Sequence, residues 1–63
     1  MLIDRAELRA CMARKGYTQA RVAEKIGIST HWFRMKLEGK KEFTESEIKK
    51  LIAEFGKDFL ILA

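Results

Sequence analysis

The stretch Thr18-Gln19-Ala20-Arg21-Val22-Ala23-Glu24-Lys25-Ile26-Gly27-Ile28-Ser29-Thr30-His31-Trp32-Phe33-Arg34-Met35-Lys36-Leu37-Glu38-Gly39 decides the fold. Thr18 is a good N-cap, and Val22, Ala23 and Ile26 mark an apolar helical face after it. These predict a helix over about Gln19 to Ile26. Gly27 ends it after two turns, and Ser29 is the N-cap of a second helix. Ile28 and Phe33 occupy the two positions of a hydrophobic staple, Phe33 and Leu37 lie on one face, and Gly39 stops the segment. The connection Gly27-Ile28-Ser29 is three residues long with glycine first. A left-handed glycine can redirect the chain there while Ile28 plugs the corner, as a helix-turn-helix unit requires. Ala23 supplies the small residue where two helices must cross closely, and Phe33 the bulk that fills their centre.

The flanks are helical as well. Asp4 is an N-cap, Glu7 three residues later completes a capping-box pattern, and Ile3 with Leu8 forms a staple. A helix over about Arg5 to Lys15 follows, with Leu8, Cys11, Met12 and the stem of Lys15 facing inward and Gly16 ending it. Thr44-Glu45-Ser46-Glu47 is a second capping box, with Phe43 and Ile48 as its staple. Ile48, Leu51, Ile52 and Phe55 then form a full apolar stripe that predicts a helix over about Glu45 to Phe55, closed by Gly56. Residues 57–63 read either as a helical turn or as an extended tail that pairs or packs. Phe59 to Leu62 would cover the core or a second subunit, since in water they form a greasy patch.

Sixty-three residues allow one domain, spanning 1–63 with the helix-turn-helix unit at about 18–38. At this size only roughly 60% of the chain's surface can be buried, so the core must be efficient. One cysteine excludes an internal disulfide and a four-cysteine zinc site. The lone histidine and lone cysteine fall on different predicted helices and make neither a metal pair nor a nucleophile beside a base. The carboxylates sit at helix starts, where capping explains them. No glycine-rich phosphate loop occurs. The reading is therefore a non-enzyme with no metal, no cofactor and no small-molecule substrate. Met1-Leu2-Ile3-Asp4 does not open a signal peptide, and no apolar run approaches the ~20 residues of a membrane span. A reduced, cytoplasmic protein is expected.

The net charge is +4, unevenly spread. Residues 14–41 carry eight cations (Arg14, Lys15, Arg21, Lys25, Arg34, Lys36, Lys40, Lys41) against Glu24 and Glu38, a net +6. Residues 1–13 are neutral and residues 42–63 sum to −2. A basic block over the helix-turn-helix unit is the footprint of a partner whose phosphates are neutralised, or else a solvated basic surface.

Together, Gly16-Tyr17-Thr18-Gln19 through Gly39-Lys40-Lys41-Glu42-Phe43-Thr44 resemble the phage-repressor and Cro-like (XRE-type) helix-turn-helix family. The likeness is to its Gram-positive phage and prophage branch, where a "TQ..LA..IGIS...F..KL.GK.EFT..EI" pattern recurs, and it covers about residues 8–56. The fold it implies is an all-α, compact four- to five-helix bundle of the lambda-repressor-like kind. The activity it implies is operator binding and transcriptional control by a homodimer on a two-fold symmetric double-stranded DNA site. Carried over position by position, the base-contacting residues are Thr30, His31, Arg34 and Met35, with Arg34 suited to a bidentate guanine contact. Thr18, Gln19, Ser29, Lys36, Lys40 and Lys41 match phosphate-contacting positions. The chain departs from better-known members in three ways. Thr30, His31 and Met35 stand where glutamines are common, Lys36 where an apolar residue is common, and the C-terminus is greasy rather than basic.

Plainer roles compete at several positions. Cys11 is expected to be a buried free thiol. Trp32 is expected to pack against the stem of Lys36 or the side of the Arg5–Lys15 helix rather than touch DNA. Met35 is expected on the outside, with core filling as the alternative. Lys49 and Lys50 read as a solvated face. As a whole, the chain reads as a DNA-binding regulator, with Thr30–Leu37 as its recognition helix in the major groove, or, alternatively, as an antitoxin- or antirepressor-like interaction module using the face of that helix or the apolar tail. A third possibility makes it the N-terminal domain of a longer regulator.

Overall fold

Every helix of this chain starts at a side chain that captures a backbone N–H. In the computed structural model, which describes residues 2–61 (the side chain of Leu2 excepted), Asp4, Thr18, Ser29 and Thr44 each sit in extended backbone geometry. Each accepts from the N–H three residues on. The helices they open are α1 (Arg5–Lys15), α2 (Gln19–Ile26), α3 (Thr30–Leu37) and α4 (Glu45–Phe55), the spans the sequence predicts. The described residues form an all-α bundle of four helices. Gly16 and Gly27 close α1 and α2 with φ of 71° and 81°, a left-handed geometry that side chains resist.

The tail takes the extended form. Strand β1 (Leu2–Ile3) pairs antiparallel with β2 (Leu60–Ile61), Leu2 opposite Ile61 and Ile3 opposite Leu60. This pairing corrects one expectation. Glu7 does not close a capping box on α1, because the Asp4 N–H that it would accept from donates to the Phe59 carbonyl at 2.8 Å. The Glu7 carboxylate turns to Arg14 instead, at 2.7 Å. On α4 the box is complete, with Thr44 and Glu47 each accepting from the other's backbone.

One apolar core joins all four helices and the tail. Leu8 and Met12 enter from α1, Val22, Ala23 and Ile26 from α2, Phe33 and Leu37 from α3, and Ile48 and Leu51 from α4. Phe43, before α4, meets Phe33 edge-on at 6.0 Å between ring centres. Cys11 is buried as expected. The stem of Lys15 is not part of the inward stripe. Lys15 is exposed, its ammonium donating to the Glu54 carbonyl near the end of α4 and lying 5.9 Å from the Phe55 ring centre.

Phe59 is fully buried. The tail is thus a structural plug at this residue, and the β1–β2 ribbon holds it in place. Leu62, the last apolar residue of the predicted patch, lies outside the described residues. A 63-residue domain has a total stability of about 3–9 kcal/mol, and removing a buried phenylalanine side chain costs about 3–5 kcal/mol. Phe59→Ala is therefore expected to lower the urea midpoint sharply or to leave the chain largely unfolded at room temperature. An unchanged midpoint would show that the tail is dispensable to the core.

Candidate nucleic-acid interface

The outward face of α3 follows from its inward one. At 100° per residue, Phe33, Lys36 and Leu37 point to one side, so His31 and Met35 point to the other. Phe33 and Leu37 are buried, while His31 and Arg34 are exposed and Thr30 and Met35 partly so. All four predicted base-reading residues therefore lie on or beside one accessible surface. The described tail residues pair with residues 2–3 and do not cover it.

Arg34 is oriented by a neighbour. Its Nε donates to Gln19 Oε1 at 3.3 Å across the α2–α3 unit. With Nε spent this way, the two terminal nitrogens of the exposed guanidinium are the fork that could match a pair of acceptors. Gln19 thus supports Arg34 as well as standing in the first turn of α2. Thr18 and Ser29 are exposed at helix starts. Their oxygens are used as caps, at 3.1 Å in both cases, so only their hydroxyl hydrogens remain for a phosphate. Lys40 and Lys41 are exposed just beyond α3, Lys40 3.5 Å from Glu38.

Lys36 does not belong with them. It is buried, and its ammonium donates to both oxygens of Glu47, at 2.6 and 2.7 Å. Its direction on α3 points it at α4 rather than at solvent, so it cannot grip a phosphate. Glu47 also accepts from the Thr44 N–H at 2.9 Å. Burial pushes the Glu47 carboxyl up, but the hydrogen bonds from Lys36 and Thr44 together with the nearby positive charge outweigh it, and the group sits below the ordinary glutamate range. The Lys36 carbonyl meanwhile accepts from Arg5 Nε at 3.2 Å. One residue thus ties α3 to both α4 and α1. The sequence signal for this was present in part: Glu47 belongs to the capping box, and Lys36 falls three residues after Phe33 and one before Leu37, on the inward side of α3.

Trp32 also departs from expectation. It is 46% exposed rather than packed under α3, with the Lys41 ammonium 5.1 Å from its ring centre. Lys50 is less idle than its solvated reading suggested, reaching the Ile26 carbonyl at the end of α2 at 3.5 Å, while Lys49 makes only an exposed pair with Glu45.

The basic block is smaller in space than along the chain. Arg14, Lys25 and Lys36 pair with Glu7, Glu54 and Glu47, all of which come from outside residues 14–41. The cations left beside the α3 face are Arg34, Lys40 and Lys41. Among the described residues no helix is long and apolar enough to cross a membrane. Comparison with family models, with characterised proteins and with solved structures finds no match to this chain.

Glu47 gives a signed pH dependence. Its folded pKa lies below the unfolded value, so its stabilisation is complete above the unfolded value of about 4.3 and is lost as pH falls through the folded one. Removing one partner of a fully buried pair costs about 3–5 kcal/mol, but this pair keeps 11% exposure and a glutamine keeps an amide oxygen for Lys36 and Thr44, so the cost is smaller. Glu47→Gln is expected to lose about 1–3 kcal/mol at neutral pH and, in urea titrations, to show a flatter loss of stability on acidification than the parent. Lys36→Met with Glu47→Gln, which removes both charges and keeps an amide oxygen for the Thr44 N–H, should recover part of the loss. A parallel acid profile in Glu47→Gln would remove Glu47 from the account.

Proposed function

We propose that this chain is a sequence-specific double-stranded DNA-binding transcriptional regulator, a phage or prophage repressor or Cro-like protein acting in the cytoplasm as a homodimer. The observation that carries this reading is the exposed face of α3, with Arg34 exposed on its flank and its Nε bonded to Gln19. A helix of this diameter fits the major groove, where base edges are distinguishable. In this reading Arg34 meets a guanine, while Thr30, His31 and Met35 read neighbouring positions, Met35 by apolar contact with a thymine methyl. Thr18 and Gln19 at the start of α2, together with Ser29, Lys40 and Lys41, fix the register on phosphates. The function is binding, without catalysis, cofactor or small-molecule substrate. A dimer would set its two α3 helices about 34 Å apart, one helical turn of DNA.

The burial of Phe59 weakens the competing interaction-module reading. The tail's largest side chain is in the core, and among the described tail residues Ile61 alone is a large exposed apolar one.

Mobility-shift titration of the full chain against duplexes selected from a random pool tests the proposal. Salt-sensitive preference for a recurrent, two-fold symmetric sequence is expected, and binding indifferent to sequence would reject it. Arg34→Ala should cost about 1–3 kcal/mol and relax preference at one base pair per half-site. Lys40→Ala should weaken all duplexes alike and reduce the salt slope by about one.

A further inference from the structure

Trp32 and Arg34 are two residues apart on α3, so they lie about 200° apart around its axis, on opposite flanks. His31 and Met35 fall between them. The Arg34 flank leans on Gln19 and the start of α2. The other flank carries the exposed indole of Trp32, the Lys41 ammonium over its ring, and the His31 ring edge-on at 6.3 Å. Arg34 with Gln19 is accounted for by the proposed function. Trp32 is not.

We propose that Trp32 and Lys41 together form a contact with one sugar–phosphate wall of the DNA major groove, an inference that rests on the DNA-binding reading of α3. A helix with its side chains is about 10–12 Å across and the groove about 12 Å wide, so with His31 and Met35 facing base edges each flank faces one strand. The indole offers an N–H donor at the rim of an apolar plate, and the ammonium held over that plate is the second donor. The plate lies against deoxyribose, and the two donors take phosphate oxygens. The flank is no broad cationic field, since Glu38 pairs with Lys40 and Glu42 is exposed beside Lys41. The contact is therefore a local one of two donors, which binds every sequence alike. The cation–π distance of 5.1 Å is within the attractive range, so the ring also restrains the lysine before DNA arrives.

Trp32 is the only tryptophan, so its fluorescence reports on this flank alone. The full chain is titrated with a duplex enriched from a random pool and with a scrambled duplex. Emission should change on binding either one. Trp32→Ala should weaken both about tenfold, and Trp32→Phe, which keeps a ring and loses the N–H, should weaken both about threefold. Lys41→Gln should lower the salt slope by about one. Bound duplex with unchanged emission, and Trp32→Ala affinity within about twofold of the parent, overturns the wall contact. If Arg34→Ala still relaxes specificity in that case, the regulator reading survives. Weakening confined to the enriched duplex would make Trp32 a base reader and overturn the proposal. Emission that shifts with protein concentration before DNA is added would assign the indole to self-association and overturn it too. Failure to bind any duplex overturns both.

Discussion

The bend at Gly27 is the constraint on which the arrangement depends. Its φ of 81° lets the chain reverse so tightly that the N–H groups of Gly27 and Ile28 both donate to the Ala23 carbonyl, at 2.9 and 3.0 Å. Ser29 restarts a helix two residues later. Ala23 is small enough to lie buried beneath that helix, and Phe33 fills the space between them. An alanine at 27 would meet little steric resistance from neighbours, the nearest atom being the mobile end of Lys50 at 3.8 Å. The demand for glycine is therefore one of backbone conformation, at roughly 1–2 kcal/mol for an L-residue forced into that region. The direction of α3 follows from this bend, and its rotation from the side chains that it commits inward.

Charge serves two separate purposes in this small molecule. Buried or half-buried cations act as struts between helices: Lys36 from α3 to α4, Lys25 from α2 to α4, and Arg5 from α1 to the end of α3. Such pairs offset the cost of desolvation only when each group is fully bonded. Among the described residues, no buried side-chain nitrogen or oxygen lacks a partner. Of the exposed cations on and after α3, Arg34 spends its Nε on Gln19 of α2, while the contacts of Lys40 and Lys41, to Glu38 and Trp32, join no further helix. A charge count along the chain mixes the two classes, because the acids that neutralise Arg14, Lys25 and Lys36 lie in other segments. That is why the +6 block overstated the field a polyanion would meet.

The helices were legible in the sequence because their signals are local. An N-cap, a staple pair and a glycine each act within a few residues of where they stand, and Asp4, Thr18, Ser29 and Thr44 all cap as read. What escaped was long-range. Glu7 lost its capping role to the Phe59 carbonyl, a partner more than fifty positions away. Lys36 met Glu47 eleven positions on, across a turn whose shape the local signals leave open. Trp32 was expected to pack against the stem of Lys36 or the side of α1, yet Lys36 turns inward to Glu47, and Trp32's place on the flank of α3 left it beside solvent and Lys41. Thr30 shares the phase of Leu37 and is partly exposed at the opening of the helix, while the outward direction of His31 and Met35, and the flank position of Arg34, followed from helical phase once Phe33 and Leu37 were fixed inside. The contact between Gln19 and Arg34 did not, since it requires knowing how α2 and α3 cross.

An eight-residue helix would not persist alone in water, so α3 takes its stability from its inward side chains and its cap. Phe33, Lys36 and Leu37 pack or pair within the protein, and Ser29 satisfies the first turn. Thr30, His31, Arg34 and Met35 contribute little to that account. Their identities can change while the fold stays, because substitutions at exposed positions away from caps and networks usually move stability by less than about 0.5 kcal/mol. This separation is what a reading surface needs: one scaffold can present different side chains to different sequences. Under the proposed DNA-binding reading, it also explains why the fold follows from the chain and a preferred DNA sequence would not. The residues that determine the structure face inward, and those that would determine the target are the ones the structure leaves free.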